Sequence, residues 1–308
     1  MQSNASLRGA AMLVFTTLVW GAMFAIAKGA LAAIDPFWLT TWRYVPASSM
    51  MIALLWTIEG RRAFSLDGAA LKLWMSGSLG FAGFSILGYL GLARSRPEHA
   101  AIIVALMPLV TAVANWLVRR RRPSGVTLAA TLVALVGALL VITKGHVHGF
   151  TGGTLSADGL VLAGMVCWIA YTMGASTLPH FSTLRYTALS MALGTLTIVA
   201  VTLGATFGGF AHVPSASIVV GHALDIAYLS LIAGVLAVFA WNAGIAALGP
   251  ANGVLFINLV PITAFAIGIA QGRRFGAVEI AGALLVVGSL IASSVAGPAP
   301  VARSAKFA

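Results

Sequence analysis

Charged side chains are scarce in this chain. Only 8% of its 308 residues are Asp, Glu, Lys or Arg, whereas 60% are hydrophobic. A soluble domain carries roughly 25% charged residues, so this chain cannot cover a surface that faces water. Within a bilayer every backbone N–H and C=O must be paired inside the protein, which favours spanning helices. The composition therefore predicts an all-α membrane protein.

Residues suited to enzymatic chemistry are also lacking. Cys167 is the only cysteine, which excludes an internal disulfide. The chain has neither a Walker-type phosphate loop nor a His-Glu-x-x-His motif, so we expect neither ATP hydrolysis by this chain nor zinc proteolysis. The serines of the third apolar stretch have no mid-helix histidine to serve as a base. We expect no catalytic residue, no metal site and no cofactor.

Ten apolar stretches are each about long enough to cross a bilayer. The predicted helices cover residues 11–31, 37–57, 71–93, 99–118, 125–143, 157–178, 186–208, 221–246, 252–271 and 277–297. The remaining residues 298–308 are predicted to be a disordered tail. The whole chain, 1–308, is expected to form a single membrane domain.

The two halves of the chain resemble each other. One constant displacement relates three pairs of positions: Tyr89 and Asn242, Pro97 and Pro250, and Pro108 and Pro261. The first copy covers residues 11–143 and the second covers 157–297. Because five helices is an odd number, the second copy enters the membrane from the opposite face. The sequence thus predicts ten transmembrane helices in two inverted five-helix repeats.

The net charge of +11 follows the predicted membrane topology. If the N-terminus is cytoplasmic, more Lys and Arg fall in cytoplasmic than in outer segments, which favours two cytoplasmic termini. The largest basic block, Arg119 to Arg122, is expected to contact anionic lipid and not nucleic acid. The first apolar stretch is long for the core of a signal peptide, so we expect it to be retained. The oligomeric state is left open, with a monomer among the possibilities.

Several residues carry a resemblance to a known family. They are the Trp20-Gly21 pair in helix one, Arg43 early in helix two, Pro108 and Pro261 within helices four and nine, and the glycines of helices five and ten. With its ten helices, the chain resembles the drug/metabolite transporter superfamily and, within it, the EamA-type exporters. The resemblance implies a multi-pass protein of the bacterial inner membrane that transports small molecules without ATP. Aromatic amino acid exporters of that group are similar in their Trp- and Tyr-bearing helices one, three and six.

One departure from the family pattern concerns the ends of helices four and nine. Many relatives carry Gly-Glu there, whereas this chain has Arg119 to Arg122 and Gln271-Gly272-Arg273-Arg274. The departure leaves the expected fold intact and removes a marker for the subfamily.

The two mid-helix prolines predict a central cavity. Pro108 and Pro261 each remove a backbone hydrogen bond and so free a carbonyl at membrane depth, which needs water, a side chain or a ligand as its partner. Seven polar or aromatic residues are predicted to bind the substrate there: Trp20, Ser85, Tyr89, Trp168, Tyr171, Asn242 and Asn258. The alternative for the prolines is a packing kink, and for the aromatic residues it is packing or a membrane-interface belt.

Acidic residues are absent from the middle of every predicted helix. All 7 Asp and Glu fall in loops or near helix ends. A mid-membrane carboxylate is the usual proton relay of coupled transporters, so this chain lacks that device. His99, at the predicted start of helix four, is the best remaining candidate for coupling because a histidine side chain titrates near neutral pH. Capping or packing at the membrane surface is its alternative role.

These features together predict a secondary transporter that works by alternating access. A cavity of Trp, Tyr and Asn suits neutral or zwitterionic amphipathic solutes, and the resemblance favours export of amino acids, including aromatic ones. A multidrug or other metabolite exporter with the same fold is the alternative, followed by a channel.

Overall fold

Helices make up the regular structure of the protein in a computed structural model. The structure describes residues 2–119, 125–144, 154–248 and 253–295, and these ranges contain no strand. We number the long helical segments α1 to α10: Gln2–Ala30, Pro36–Glu59, Ala70–Arg94, Pro97–Ala105 with Met107–Arg119, Gly125–Thr143, Thr154–Ala175, Thr183–Phe207, Ala223–Leu248, Val254–Asn258 with Leu259–Ala270, and Ala277–Val295. The prediction for residues 298–308 and most of the basic block at 119–122 lie outside the described residues.

Length and apolar composition mark several of these helices as membrane spans. Helices α1, α3, α6, α7 and α8 each suffice to cross a membrane, and α4 becomes a sixth span if its two bent parts count as one. Shorter apolar helices occupy α5, α9 and α10, and α2 has 24 residues, where about 20 are needed. The all-helical architecture therefore agrees with the predicted multi-pass class.

Capping residues set the starts of α2 and α7. The Asp35 side chain accepts a hydrogen bond from the Phe37 amide at 2.9 Å. The Ser182 hydroxyl accepts one from the Arg185 amide at 2.9 Å. Such caps satisfy amides that have no partner within the helix. At the other end of α2, Gly60 adopts φ 75°, a left-handed conformation that glycine tolerates without strain.

Pairwise packing of the helices repeats across the two halves of the chain. Helix α1 packs along α8, and its counterpart α6 packs along α3. Helix α3 also packs against α7, as α8 does against α2. The pairs α2 with α7 and α5 with α10 each join a helix to its own counterpart. This exchange is the pseudo-two-fold relation expected of inverted repeats, so the predicted ten-helix inverted-repeat fold is confirmed.

Glycines permit close helix contacts at equivalent positions. A Cβ atom on Gly91 would lie 2.7 Å from the Val161 side chain, and one on Gly244 would lie 2.6 Å from Leu13. Gly91 and Gly244 are separated by the same displacement as Pro108 and Pro261. The repeat in the sequence is thus also a repeat of helix packing.

The backbone of α4 breaks before its proline. The two parts of α4, Pro97–Ala105 and Met107–Ala114, are bent by 40°. The Leu106 amide donates to the Ile103 carbonyl at 3.0 Å, which closes the first part. Pro108 then lies in the first turn of the second part, where an amide proton has no helical partner to lose.

Helix α9 has the equivalent break. A 3₁₀ segment, Val254–Asn258, precedes the α-helix Leu259–Ala270, and Pro261 lies in the first turn of that helix. The sequence predicted one continuous helix around each proline, with a backbone hydrogen bond lost at mid-length and a packing kink as the alternative. The breaks instead lie upstream, because each proline starts a new helical part at no cost in hydrogen bonds.

Two stretches of π-helix occupy equivalent places in the repeats. They cover Ser78–Gly83 in α3 and Tyr228–Leu236 in α8. The hydropathy pattern does not distinguish a π turn from an α turn, so the sequence analysis missed both. Such bulges are frequent at functional sites because they redirect side chains and carbonyl groups.

Candidate functional site

A central cavity lies between the two repeats. It is lined by α1, α2, α3, α4, α6 and α8 through Trp20, Met23, Phe24, Arg43, Tyr44, Phe84, Val104, Met107, Trp168 and Val238. A second hollow shares five of these residues and adds Ser85, Gly88, Tyr89 and Val161. The two hollows are therefore parts of one site. The space left for a water-sized molecule is about 20 Å³ in the first hollow and about 10 Å³ in the second, so both are narrow in this structure.

Aromatic side chains form one wall of the cavity. The rings of Trp20 and Trp168 meet edge to face with centroids 5.6 Å apart. Phe84 lies 5.3 Å from Trp168, and Tyr171 packs against the same indole at 5.1 Å. Trp241 supports Trp20 at 5.2 Å. These contacts hold the two cavity tryptophans in defined orientations.

The π-helical part of α8 orients Trp20. The Trp20 Nε1 donates to the Ala233 carbonyl at 3.2 Å. One turn earlier in α1, the Thr16 hydroxyl donates to the Ala237 carbonyl at 3.0 Å. Carbonyls of α8 thus accept hydrogen bonds from α1 and fix the position of α1 beside the cavity.

Arg43 is a buried cation at the cavity wall. Its exposed fraction is 2%, its Nη1 donates to the Tyr89 hydroxyl at 3.0 Å, and its Cζ lies 4.9 Å from the Tyr44 ring centroid. The buried Arg43 Nε has no hydrogen-bond acceptor in the part of the chain that the structure describes. All the acidic residues lie within the described ranges, and none forms an ion pair with Arg43.

A second polar cluster lies beside the cavity in the other repeat. The Asn242 amide donates to the Thr187 hydroxyl at 2.7 Å and to the Tyr171 hydroxyl at 3.4 Å. The Tyr186 hydroxyl donates to the Tyr171 carbonyl at 2.9 Å. Asn242 is the repeat counterpart of Tyr89, so a hydroxyl bonded to Arg43 in one half corresponds to an amide bonded to neutral hydroxyls in the other.

The structure brings together four of the seven predicted substrate residues. Trp20, Ser85, Tyr89 and Trp168 line the cavity. The other three, Tyr171, Asn242 and Asn258, are absent from its described lining. The Tyr171 ring packs against Trp168, and the Asn242 amide donates to the Tyr171 hydroxyl. The two residues therefore support Trp168 without lining the cavity.

Asn258 lies at the junction of the two parts of α9. It is buried, and its Oδ1 has no hydrogen-bond donor among the described residues. The α4 break is at the cavity, since Val104 and Met107 on either side of it are lining residues. The described part of α9, including Pro261, contributes no lining residue. The two proline helices are therefore equivalent in fold but not in their relation to the cavity.

Arg43 is a cavity-lining residue that was not among the substrate residues predicted from the sequence. It was placed near one end of helix two, yet it lies eight residues into α2, and both hollows contact it. A charge inside a spanning helix is the signal that identifies such a residue. Whether Arg43 has an acidic partner depends on which helices pack around it, so the sequence alone does not show that it lacks one.

Ion pairs join the repeats at one face of the bundle, which we call the Lys28 face. Glu98, with an exposed fraction of 1%, pairs with Arg273, and Arg96 pairs with Glu279 at 2.7 Å. The Lys28 ammonium donates to two carbonyl oxygens near the end of α3, each at 2.9 Å. The ion pairs link the α3–α4 region to α9 and α10, and Lys28 links α1 to α3.

His99 belongs to a buried polar group on the same face. Its Nδ1 lies 3.3 Å from the Asp158 carboxylate and 3.4 Å from the Ser95 hydroxyl, which also donates to Asp158. All three side chains are buried. Asp158 is near a helix start, as the sequence predicted, but it is enclosed by protein and paired with the one histidine singled out for coupling.

The opposite face, which we call the Asp67 face, carries a more exposed contact. The Arg185 guanidinium pairs with Asp67 at 2.7 Å. Hydrogen bonds from the Ser65 hydroxyl and from Arg185 hold the pKa of the Asp67 carboxyl below its usual range. A lowered carboxyl pKa stabilises the fold above the ordinary pKa, and that stabilisation is lost as the pH falls through the lowered value. Because Asp67 is exposed, the contribution is small.

Metal ligands do not cluster in the described residues. No group of three or more His, Cys, Asp or Glu side chains that could hold an ion occurs in that part of the chain. The polar lining of the cavity consists of hydroxyl groups, the Trp20 and Trp168 indoles and one guanidinium, beside aromatic and aliphatic side chains.

A helical membrane bundle with a cavity between inverted repeats is the architecture of many secondary transporters. Comparison with known families agrees: the EamA-like transporter family model matches residues 7–143 and again 155–295. The chain belongs to the EamA-like transporter family, within the drug/metabolite transporter superfamily. Each match covers one five-helix repeat.

Curated relatives extend over nearly the whole chain. The uncharacterized transporter YrdR of Bacillus subtilis is 34% identical over 93% of this chain and 91% of its own length. YyaM of the same organism, also an uncharacterized transporter, is 30% identical over 92% of this chain and 93% of its own. An uncharacterized transporter of Archaeoglobus fulgidus is 26% identical over 82% and 84%. These names state transport but no substrate.

A solved crystal structure has the same fold. It superposes with a TM-score of 0.67, covering 96% of this chain and 98% of that chain, at 19% sequence identity. This similarity concerns the architecture alone.

Proposed function

We propose that this transporter exports small amphipathic metabolites, with amino acids, including aromatic ones, as its substrates. The supporting observation is the cavity between the repeats, where Trp20, Phe84 and Trp168 supply apolar surface and Arg43 and Tyr89 supply polar groups. Aromatic faces bind flat apolar groups, and a few convergent polar groups orient the ligand. An amphipathic solute needs both kinds of contact.

Alternating access is the mechanism that fits the inverted repeats. Polar contacts at the Lys28 face and at the Asp67 face join different helices of the two halves. Opening one face while the other stays closed requires one set of contacts to separate at a time. Binding near the interface of the repeats lets a rocking motion expose the substrate to either side.

His99 and Asp158 are proposed to bind the coupling proton. The charged groups around them at the Lys28 face are Glu98 on α4, Arg96 before it, Arg273 after α9, Glu279 on α10 and Lys28 on α1. A buried acid and base in contact change their net charge by one when a single proton binds. Such a change next to the ion pairs that close this face would alter the stability of the closed state.

The test is flux through purified protein in liposomes. Labelled tryptophan, leucine and a cationic dye are followed with and without a pH gradient, with empty liposomes as the blank. We expect saturable amino-acid flux that the gradient accelerates. Gradient-driven flux of the dye without amino-acid flux would assign the protein to multidrug export, and non-saturable flux would indicate a channel.

A pair of histidine variants tests the coupling site within the same assay. His99→Gln should abolish the acceleration by the gradient while exchange at equal pH continues. His222→Gln is the matched control, since His222 contacts Asp225 at 2.8 Å on the same face but is partly exposed. A His99→Gln protein that still responds fully to the gradient would remove His99 from the coupling mechanism.

A further inference from the structure

We propose that Arg43 is an anion-binding site that recognises the carboxylate of the transported solute. The inference rests on the proposed function in one respect, that the central cavity holds the substrate. It goes further by naming the chemical group that the substrate must carry.

Arg43 has no compensating negative charge. Its recorded partners are the neutral Tyr89 hydroxyl and the faces of the Tyr44 and Tyr89 rings, at 4.9 and 5.8 Å from Cζ. Burying an ionised group is costly unless it is paired with an opposite charge. Buried arginines therefore pair with carboxylates, yet the described acids all lie elsewhere. A ligand that supplies the anion would complete the pair.

Two unused hydrogen-bond donors belong to residues that line the same cavity. Arg43 Nε and Trp168 Nε1 are both buried without an acceptor among the described residues, and both residues line the larger hollow. None of the described lining residues is acidic. A carboxylate offers two acceptor oxygens and matches the planar guanidinium fork. An amine offers only donors and would be repelled by the arginine.

The surrounding residues hold the guanidinium in place before any ligand binds. Tyr89 accepts from Nη1, and Tyr44, which stacks below Cζ, itself accepts from the Ser85 hydroxyl at 3.0 Å. These contacts come from α2 and α3, two helices of one repeat. A guanidinium fixed in this way loses little side-chain freedom when it binds an anion.

The repeat counterpart of Arg43 shows that the fold does not require an unpaired arginine. Thr41-Trp42-Arg43-Tyr44 matches Thr183-Leu184-Arg185-Tyr186 in the second half. Arg185 has an acidic partner, Asp67, and lies at the bundle surface. Of the two equivalent arginines, the one at the cavity is the one without a carboxylate partner.

The test uses three probes that share an indole ring. Tryptophan has a carboxylate and an ammonium, indole-3-propionate has only the carboxylate, and tryptamine has only the ammonium. Binding to purified protein is measured by equilibrium dialysis and by thermal stabilisation. The wild-type protein should bind both carboxylates at least tenfold more tightly than tryptamine, because charge-assisted hydrogen bonds are the stronger kind.

Substitution of Arg43 should remove this preference. Arg43→Gln should weaken binding of both carboxylates about 10- to 100-fold and leave tryptamine unchanged or improved. Arg43→Lys should retain part of the preference, since it keeps the charge without the fork. The matched control Arg185→Gln should retain all of it. If Arg43→Gln does not fold, Tyr89→Phe, which removes only the Nη1 partner, should still reduce carboxylate binding selectively.

Several outcomes overturn the inference. They are an unchanged preference in a folded Arg43→Gln protein, no binding of any carboxylate probe by the wild type, and stabilisation by phosphatidate lipid alone, which would assign the site to a headgroup. Two further probes have no aromatic ring: isocaproate carries a carboxylate and isoamylamine carries an ammonium. They distinguish failure of the anion site from failure of the proposed aromatic substrates. Arg43-dependent binding of isocaproate without any indole probe would refute aromatic substrates and support the anion site. Equal binding of all three indole probes would refute the anion site and support aromatic substrates.

Discussion

At the scale of single residues, Trp168 combines packing with an unused donor. Its ring contacts Trp20, Phe84, Phe81 and Tyr171, and its exposed fraction is 2%. From sequence, a cavity-lining tryptophan is expected to be loosely packed, so that truncation would spare stability. The observed burial means that truncation to Ala would also create a void, at about 3–5 kcal/mol. A substitution that keeps an aromatic ring is therefore the sharper test.

We expect Trp168→Phe to weaken substrate binding about tenfold, with little loss of thermal stability. The change removes the Nε1 donor, which has no protein acceptor to lose, and keeps aromatic packing. The matched control is Trp241→Phe, because Trp241 is equally buried and its Nε1 also lacks a described acceptor, but it does not line the cavity. Equal affinities of the two variants for tryptophan, measured by dialysis, would make Trp168 a packing residue only.

At the scale of helices, the α5–α10 contact depends on two glycines. A Cβ atom on Gly137 would lie 2.6 Å from the Gly282 carbonyl oxygen, and one on Gly282 would lie 2.6 Å from that of Gly137. The sequence analysis emphasised glycine-centred helices in both repeats. Because no side chain lies between them, the two backbones approach closely at this crossing. Other glycines of the same helices, such as Gly288, face open space.

We predict that Gly137→Ala lowers the free energy of unfolding by about 1–3 kcal/mol, since a backbone carbonyl cannot move aside as a flexible side chain does. Thermal unfolding in detergent, followed by size-exclusion chromatography, measures the change. Gly288→Ala is the control and should be neutral or slightly stabilising, because alanine favours helix. A Gly137→Ala protein as stable as wild type would mean that the α5–α10 crossing is loose.

At the scale of the whole molecule, the two faces differ in how firmly they are closed. The Lys28 face carries the buried Glu98 between two arginines, whereas the Asp67 face relies on a more exposed pair. Breaking a buried pair leaves an uncompensated charge, while exposed pairs contribute less than about 1 kcal/mol. A single substitution is therefore expected to disrupt the contacts of the Lys28 face more than those of the Asp67 face.

We expect Glu98→Gln to open the Lys28 face. A reporter cysteine at Gly88, where an added Cβ meets no atom within 4 Å, is placed in a Cys167→Ser background. An impermeant thiol reagent applied from the Lys28 face should then label it on the order of tenfold faster when Glu98→Gln is present. Asp67→Asn is the control and should leave that rate unchanged. Equal rates in all three proteins would show that the ion pairs do not control access.

Membrane orientation is the second prediction at this scale. We propose cytoplasmic termini, so a cysteine at His212 should react with impermeant reagent on intact cells. One at Arg62 should stay protected until the membrane is permeabilised. Both positions are exposed, and both variants again require Cys167→Ser. The reverse labelling pattern would invert the proposed orientation and place the Lys28 face in the cytoplasm.

The sequence by itself determined the class, the helix number and the inverted repeat. These properties depend on the length of each apolar stretch and on the number of stretches. The equal spacing of positions such as Gly91 and Gly244 can be read from the sequence without knowing which residues surround them in space. Trp20, Ser85, Tyr89 and Trp168, which were predicted to bind substrate, line the cavity in the structure, and substrate binding by them stays a prediction.

Only the tertiary structure decided which polar group faces the cavity without a partner. Tyr171 and Asn242 are polar residues in apolar helices, as Tyr89 is. In the structure, however, Asn242 donates to Thr187 of α7, and neither Tyr171 nor Asn242 lines the cavity. Arg43 and Arg185 occupy matching places in the chain, yet Asp67 reaches only Arg185. The physical reason is that the cost of a buried charge depends on which helices pack around it, and that information is not local in the sequence.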